Sequence, residues 1–419
     1  MTLIKTSLLN AVAVAIKMLT MLGINKILAI YVGPAGYAAI GNFQNAVQMI
    51  TTLGSGAINT GVTKYTAEYH ADEAEQRKVW QTAGTIALVG SIVTGLLVAV
   101  FNRELADWFL SDEQYGSVFI WFGLTLVFFV FNTLLLAILN GKKEIKRYVF
   151  INIVGSIFSL IVSALMIVQF GLYGALLTLA INQSLVFCVT VALCYRTTWF
   201  KLKYLIGRVD KKTAINLAKF TAMAVTSAVT IPVSHIMVRN LLGENLGWDA
   251  AGYWEAMWRL SAAYLLFVTT TLGVYYLPRL SELQDTESIK KEIIQGYKII
   301  LPVAAVCGMA IYLLRDFIVN LLFSKEFMPM RDLFGWQILG DTLKIGSWIL
   351  AYLMLGKALV KIFITTEIFF GFSFYIWTRL LIDDFGLQAP VIGHAINYLM
   401  YWLCMYLLLF RSRALFDKI

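Results

Sequence analysis

Residues 117–139 read SVFIWFGLTLVFFVFNTLLLAIL, 23 positions without one charged side chain. A helix needs about 20 such residues to cross the hydrocarbon core of a bilayer. Acids precede the stretch (Asp112, Glu113) and bases follow it (Lys142, Lys143, Lys146, Arg147). It therefore reads as a spanning helix with polar anchors at both ends and a basic side and an acidic side.

Working outward, the whole chain repeats this pattern. Of 419 residues, 59% are hydrophobic and 14% charged, against roughly 25% charged in soluble domains. One water-soluble core cannot cover that much apolar surface without leaving large exposed patches. Similar stretches lie at 6–31, 36–65, 79–101, 148–168 and 172–195, then at 214–240, 250–277, 293–314, 333–355, 362–381 and 391–410. The expectation is an all-α, polytopic membrane protein with about twelve transmembrane helices joined by short loops. No room remains for an ectodomain, a soluble catalytic domain or a nucleotide-binding domain, and no GxxxxGK[ST] phosphate loop occurs. The start, with Lys5 ahead of an apolar run, looks superficially like a signal peptide. Lys17 interrupts that run and it continues to Tyr31, so it reads as an uncleaved first span.

The net charge of +9 follows the excess of Lys and Arg expected on cytoplasmic loops. With the N-terminus inside, 23 basic residues fall on the cytoplasmic side and 6 on the other. That asymmetry predicts both termini in the cytoplasm and an even number of spans. No basic run is interleaved with aromatics on a polar surface, so nucleic acid is not an expected partner. Cys188, Cys194, Cys307 and Cys404 lie in apolar stretches without a CxxC, and His70, His235 and His394 are scattered. Neither set predicts a metal site, a disulfide or a cofactor.

The longest basic loop, 196–212, falls near the midpoint and suggests two six-helix lobes, 1–206 and 207–419. Ala35-Gly36-Tyr37 and Ala251-Gly252-Tyr253 open the second helix of each half, 216 residues apart. With a small loop adjustment Lys26 and Arg239 also correspond. Even helix numbers make the halves parallel repeats, as in transporters whose two bundles rock about a central site.

Five bases lie inside spans (Lys17, Lys26, Lys219, Arg259, Lys344), as do three acids (Glu255, Asp341, Glu367). An unpaired charge at mid-bilayer costs about 2.5–3.5 kcal/mol on insertion scales, so such residues face the bundle interior or a wet cavity. Snorkelling at a span end covers Lys219 and partly Glu367, but not Lys17 or Lys344. In the tenth span Gln337, Asp341, Lys344 and Trp348 share one helical face. The stripe either lines a cavity or glues two helices, with Asp341 and Lys344 neutralising one another across a turn. In the eighth, Glu255 and Arg259 are one turn apart among Tyr253, Trp254 and Trp258. Arginine binds phosphate bidentately and aromatic faces suit sugar rings; an interfacial belt is the other reading of the tryptophans. In the second, Gln44 and Gln48 share one face and Asn42 and Asn45 an adjacent one. They suit a hydroxyl-rich ligand or hydrogen bonds between helices. Pro232 and Pro302 place kinks in spans seven and nine, and His235 follows one turn after Pro232.

Several segments resemble the polysaccharide flippases. Residues 33–44 (GPAGYAAIGNFQ) resemble the entry to the second helix of that family, and 61–68 (GVTKYTAE) its inner end. The strongest match runs from Leu314-Arg-Asp-Phe through 330–341 (MRDLFGWQILGD) to Lys344, Gly346 and Lys357. On these the chain is similar to Wzx-type translocases of O-antigen and enterobacterial common antigen (lipid III) repeat units, over essentially its whole length. It departs from the common-antigen branch in much of spans three to six and eight, which points to a different repeat unit.

The resemblance implies membership of the multidrug/oligosaccharidyl-lipid/polysaccharide exporter superfamily. It also implies two lobes around a central cationic cavity, working by alternating access in the bacterial inner membrane. The implied cargo is an undecaprenyl-diphosphate-linked oligosaccharide, with the polysaccharide polymerase and chain-length machinery as partners. On that reading Lys26, Arg239, Arg259 and Lys344 hold the diphosphate. Asn42, Gln44, Asn45, Gln48, Trp254, Trp258 and Gln337 line the substrate path, and Asp341, Glu255 and Glu367 are candidates for ion coupling. The alternatives are a cation-coupled drug or small-solute antiporter, or a membrane-embedded polymerase or acyltransferase. The stretch from Lys64 to Trp80 lacks the Gly-x-x-x-Asp-Arg-type motif of major-facilitator antiporters, and no catalytic constellation is visible.

Overall fold

The computed structural model describes residues 3–408, apart from 196, 198, 277–278, 281–282, 284 and 358; the side chains of 3–11, 202, 219–220 and 274 are likewise outside the description. Arg196, Arg411, Arg413, Lys418 and the side chains of Lys5 and Lys219 thus lie outside the described residues.

All regular structure among the described residues is helical. The order is α1 (Leu3–Tyr31), α2 (Gly33–Ser55), α3 (Asn59–Glu68), α4 (Glu73–Val100), α5 (Asn102–Leu110), α6 (Gly116–Gly141) and α7 (Ile145–Tyr195). Then come α8 (Lys211–Leu246), α9 (Trp248–Thr271), α10 (Thr286–Leu313), α11 (Arg315–Leu322), α12 (Phe334–Gly356), α13 (Val360–Phe385) and α14 (Ala389–Tyr406). Among the described residues, eight segments are long and apolar enough to cross a membrane, and two of them, Ile145–Tyr195 and Val360–Tyr406, are of double length. α2 and α9, 23 and 24 residues long, reach about 35 Å at 1.5 Å per residue. They fall outside the eight because polar side chains dilute their apolar content; Asn42, Asn45 and Glu255 are buried, while Gln44 and Gln48 are exposed. Counting the two arms of α7 separately, the described residues hold twelve membrane-length helices, and the chain is a multi-pass membrane protein.

Two expected spans differ in detail. Residues 36–65, read as one span, are α2 and the short α3. The helix stops at Gly56, whose left-handed backbone (φ 63°) lets its N–H bond back to the Leu53 carbonyl. Conversely 148–168 and 172–195 run together as α7, bent at Gly171 (φ 55°, ψ −129°). Only glycine adopts that conformation without steric cost. The same turn recurs at Gly386 (φ 50°, ψ −125°) between α13 and α14, each time within Phe-Gly-Leu, 215 residues apart.

The chain divides into two compact units: Met1–Val32 with Ala39–Pro232, and Gly33–Ala38 with Val233–Ile419. In the first, α6 packs on α4 and α7, and α7 on α1. Phe43, Phe119 and Phe122 form its aromatic centre, with Phe43 and Phe119 edge to face at 5.2 Å. In the second, α12 packs on α10 and α14, and α13 on α14. Its apolar core gathers Leu272, Tyr276, Ile349, Leu350, Met354, Phe370 and Met405.

Candidate functional site

Buried charge concentrates in the second unit, where α9, α12 and α14 face one another. Asp341, 2% exposed, collects hydrogen bonds from three helices. From α9, Ser261 Oγ donates at 2.6 Å and Tyr264 donates its phenol. On α12 itself Gln337 Nε2 donates to both carboxylate oxygens at 3.2 Å. From α14, His394 Nε2 sits 3.1 Å from Oδ1. An ionised carboxylate only accepts, so this geometry selects the imidazole tautomer with its proton on Nε2. The His394 ring reaches α12 because residue 340 is glycine: a Cβ there would lie 2.4 Å from His394 Cδ2.

Lys344 is not among the groups that bond Asp341. Its ammonium lies over the rings of Trp258, Trp348 and Tyr398, at 4.5, 5.0 and 5.1 Å. The expected Asp341–Lys344 pair across a turn is therefore replaced by two separate arrangements: a carboxylate ringed by donors, and a lysine caged by aromatic faces. The one-turn spacing brings the backbones close. The cross-helix donors give the carboxylate better geometry, and the caged ammonium gains from the ring quadrupoles.

Six residues before Ser261 on α9, Glu255 bridges two guanidinium groups. Arg239 Nε donates to Oε2 at 2.9 Å, and Arg259 Nε to Oε1 at 2.8 Å. Arg239 and Glu255 are almost wholly buried, whereas Arg259 keeps 14% of its side chain exposed and lies 5.7 Å from the Tyr37 ring centre. Arg239 also lies over Trp254 at 5.5 Å. Trp254 is fully buried with its indole N–H unpaired. It belongs to the protein interior, packed with His235, Trp258 and Phe374. His235 packs edge-on to Trp258 at 4.3 Å, as a structural aromatic would.

Of the other residues singled out in the sequence, Gln337 is fully buried with its Oε1 unpaired. Glu367 is half-buried on α13. In the first unit Asn42 and Asn45 are buried while Gln44 and Gln48 are exposed, so the two faces read from the spacing have opposite surroundings. Asn45 Nδ2 donates to the Pro232 carbonyl at 3.4 Å, a bond between helices. Lys26 is half-buried. Sequence reasoning passed over Ser261, Tyr264 and His394 as partners of Asp341. The one local hint was a histidine in the otherwise apolar α14.

A cavity of about 440 Å³ opens beside this cluster between α9, α10 and α12. Its walls are almost entirely apolar, including Val268, Ile300, Ala304, Cys307 and Ile345, with Tyr264, Asp341 and Thr342 at one side. The second unit thus places a hydrogen-bonded carboxylate against a greasy cavity, with a caged lysine and a guanidinium pair nearby.

Comparison with known proteins gives this arrangement its context. Among solved structures, a MATE family multidrug resistance transporter of the MOP superfamily in an inward-facing conformation superposes with a TM-score of 0.79. It is 14% identical, over 96% of each chain. An outward-facing form of such a transporter gives 0.65 at 15% identity, over 97% of this chain and 96% of the other. At these identities the likeness is one of fold. Two curated relatives, the lipid III flippases of Escherichia coli (strain K12) and Shigella flexneri, are each 32% identical over 416 residues. The match takes in 99% of this chain and 100% of theirs. Residues 3–284 match the family described as "Polysaccharide biosynthesis protein", and with a match of that extent the chain belongs to that family.

Proposed function

We propose that this chain is a flippase that carries an undecaprenyl-diphosphate-linked oligosaccharide repeat unit from the inner to the outer leaflet of the bacterial inner membrane. The observation that carries the reading is the full-length 32% identity to two lipid III flippases. The likeness to multidrug transporters is one of fold only, and gives a drug cargo no comparable support.

The halves 1–206 and 207–419 alternate access in this reading, with both termini in the cytoplasm. A diphosphate crossing hydrocarbon needs cations. Arg259, the more exposed of the two arginines beside Glu255, supplies one guanidinium, with Lys26, Arg239 and Lys344 as further cations. Gln44 and Gln48, exposed on α2, supply amide donors and acceptors for sugar hydroxyls, and the part-buried Trp258 an aromatic face, whereas Asn42, Asn45, Gln337 and Trp254 are buried. Asp341, with Glu255 and Glu367, is the candidate for coupling to an ion gradient. The polymerase and chain-length machinery consume the product on the outer face.

The test is a deletion strain complemented with this chain. Loss of function should stop surface polysaccharide and accumulate single lipid-linked repeat units on the inner face. Export of single units in the mutant, the behaviour of a missing polymerase, would overturn the reading.

A further inference from the structure

The apolar cavity beside Asp341 has a shape and a setting of its own. It takes up about 440 Å³ between α9, α10 and α12. A cavity of about 150 Å³ holds the six carbons of benzene, so this one takes about eighteen carbons of a hydrocarbon chain. On α10 its wall runs from Ile299 to Ile311, about 18 Å at 1.5 Å per residue. The form is that of a chain, not of a ring.

The cavity is a cleft open along one edge. α10 packs more closely on α12 than on α9, and Phe267, Thr271, Ile299 and Val303 at the α9–α10 edge are exposed. α10 is the least buried of the apolar segments, with 11% of its apolar stretch covered by the protein. Its most exposed side chains, Val303, Val306, Met309 and Leu313, are apolar, so in a spanning helix they face hydrocarbon. The inner wall is different. It includes Tyr264 and Asp341, and it lies close to two of the cations. Ile345 follows Lys344 on α12, and Tyr264 is five residues from Arg259 on α9, about 7.5 Å of rise. Ser261, Tyr264, Gln337 and His394 satisfy the Asp341 carboxylate, so the cleft presents an apolar surface and not a charge-pairing group. It joins hydrocarbon on one side to the cationic cluster on the other, as the tail and head of an amphiphile require.

The walls are stiff. Nine of the sixteen lining residues are β-branched, and such side chains have little freedom at χ1. Gly308 brings α10 onto α12, where a Cβ would lie 2.6 Å from Ile338 Cγ2. Lipid tails are as apolar as leucine, so a site inside a bilayer selects by packing and not by hydrophobicity. An unsaturated, methyl-branched isoprenoid has fewer free rotors per carbon than an acyl chain and loses less entropy when a fixed wall holds it.

We propose that this cleft seats the isoprenoid tail of the cargo: about three to four isoprene units next to the diphosphate lie between α9, α10 and α12, and the rest of the chain leaves through the open edge into the bilayer. The identity of the chain rests on the flippase reading.

The experiment is photolabelling of the full-length protein in nanodiscs with an isoprenoid diphosphate that carries a benzophenone in its third isoprene unit, followed by mass spectrometry. Adducts should concentrate in 264–271, 299–311 and 338–345. Undecaprenyl phosphate should lower them about tenfold, and the same amount of phosphatidylglycerol should not. Ala304→Phe, which fills the middle of the cleft, should lower them as far in monodisperse protein, and Ala305→Phe, on the exposed side of α10, should not. Equal competition by phosphatidylglycerol would make this an acyl-chain site and overturn the proposal, as would adducts spread evenly over the exposed helices. The two readings fail separately. Absence of cleft adducts from a protein that complements the deletion strain overturns the tail site alone. Cleft adducts competed by undecaprenyl phosphate, in a chain whose loss leaves surface polysaccharide intact, keep the site and overturn the flippase reading.

Discussion

His394 Nε2 and Asp341 Oδ1 meet at 3.1 Å in the interior of the second unit, with only 2% and 3% of their side chains exposed. Ser261, Tyr264 and Gln337 supply the other donors. The carboxylate is therefore held by neutral groups from two neighbouring helices as well as by its own, and anything that changes its acceptor character changes all of them together.

Asp341→Asn turns one acceptor into a donor that must face a donor. A buried polar group left unsatisfied costs about 1–3 kcal/mol, so the variant should melt measurably earlier than the parent. If Asp341 also couples transport to an ion gradient, proteoliposomes carrying the variant should lose their response to an imposed gradient. A variant that keeps both its melting point and full gradient dependence would remove Asp341 from both roles.

Gly340→Ala tests the close approach of α14 to α12. The new Cβ would lie 2.4 Å from His394 Cδ2 and 3.2 Å from the Ala395 nitrogen. Overpacking of this kind costs about 1–3 kcal/mol. Combining it with His394→Ala removes the nearer clash, so the double variant should be more stable than the sum of the singles predicts. Strict additivity would show that the ring is not what Gly340 accommodates.

Glu255→Gln leaves two guanidinium groups facing one neutral amide. Breaking a buried ion pair from one side costs about 3–5 kcal/mol. Stability curves should show this loss, and Arg239→Met in the same chain should recover part of it. A loss below about 1 kcal/mol, the range of exposed pairs, would mean that water reaches the triad.

Asp285 caps α10, accepting from Ser288 N at 2.8 Å and Glu287 N at 3.3 Å. Hydrogen bonds from Ser288, side chain first and then backbone, with one from Glu287 N–H, hold its carboxyl below the ordinary value. Its contribution is complete above the unfolded value of about 3.9 and disappears as pH falls through the lower folded value. Hydrogen exchange at the first turn of α10 should accelerate over that acidic window, and Asp285→Ala should exchange fast at every pH. An acid-induced acceleration that persists in Asp285→Ala would assign the effect to another group.

Reporter fusions after Lys143, Lys203 and Lys357 should report the cytoplasm, and fusions near Asp112, Glu244 and Asp384 the opposite side. Two or more reversed sites would sink the orientation drawn from the basic loops.

The sequence by itself determined the helical membrane architecture, because hydrocarbon imposes a rule that any single stretch must obey: about 20 apolar residues, polar ends, and no charge without a reason. That rule made residues 117–139 a span and marked Asp341, Glu255, Arg259 and Lys344 as exceptional. It worked least well on α2 and α9, whose apolar stretches are interrupted by polar residues, some buried (Asn42, Asn45, Glu255) and some exposed (Gln44, Gln48). Which groups satisfy the exceptional charges was decided only by the tertiary structure. On one helix, Asp341 and Lys344 are natural partners, one turn apart. In the folded chain the carboxylate bonds Ser261, 80 residues earlier, and His394, 53 residues later, while three aromatic rings take the lysine. Hydroxyls and phenols are common in spans and mark no helix as exceptional, and a histidine such as His394 stands out without naming its partner. Their roles come from helix packing, and here from one glycine at position 340 that lets two helices approach.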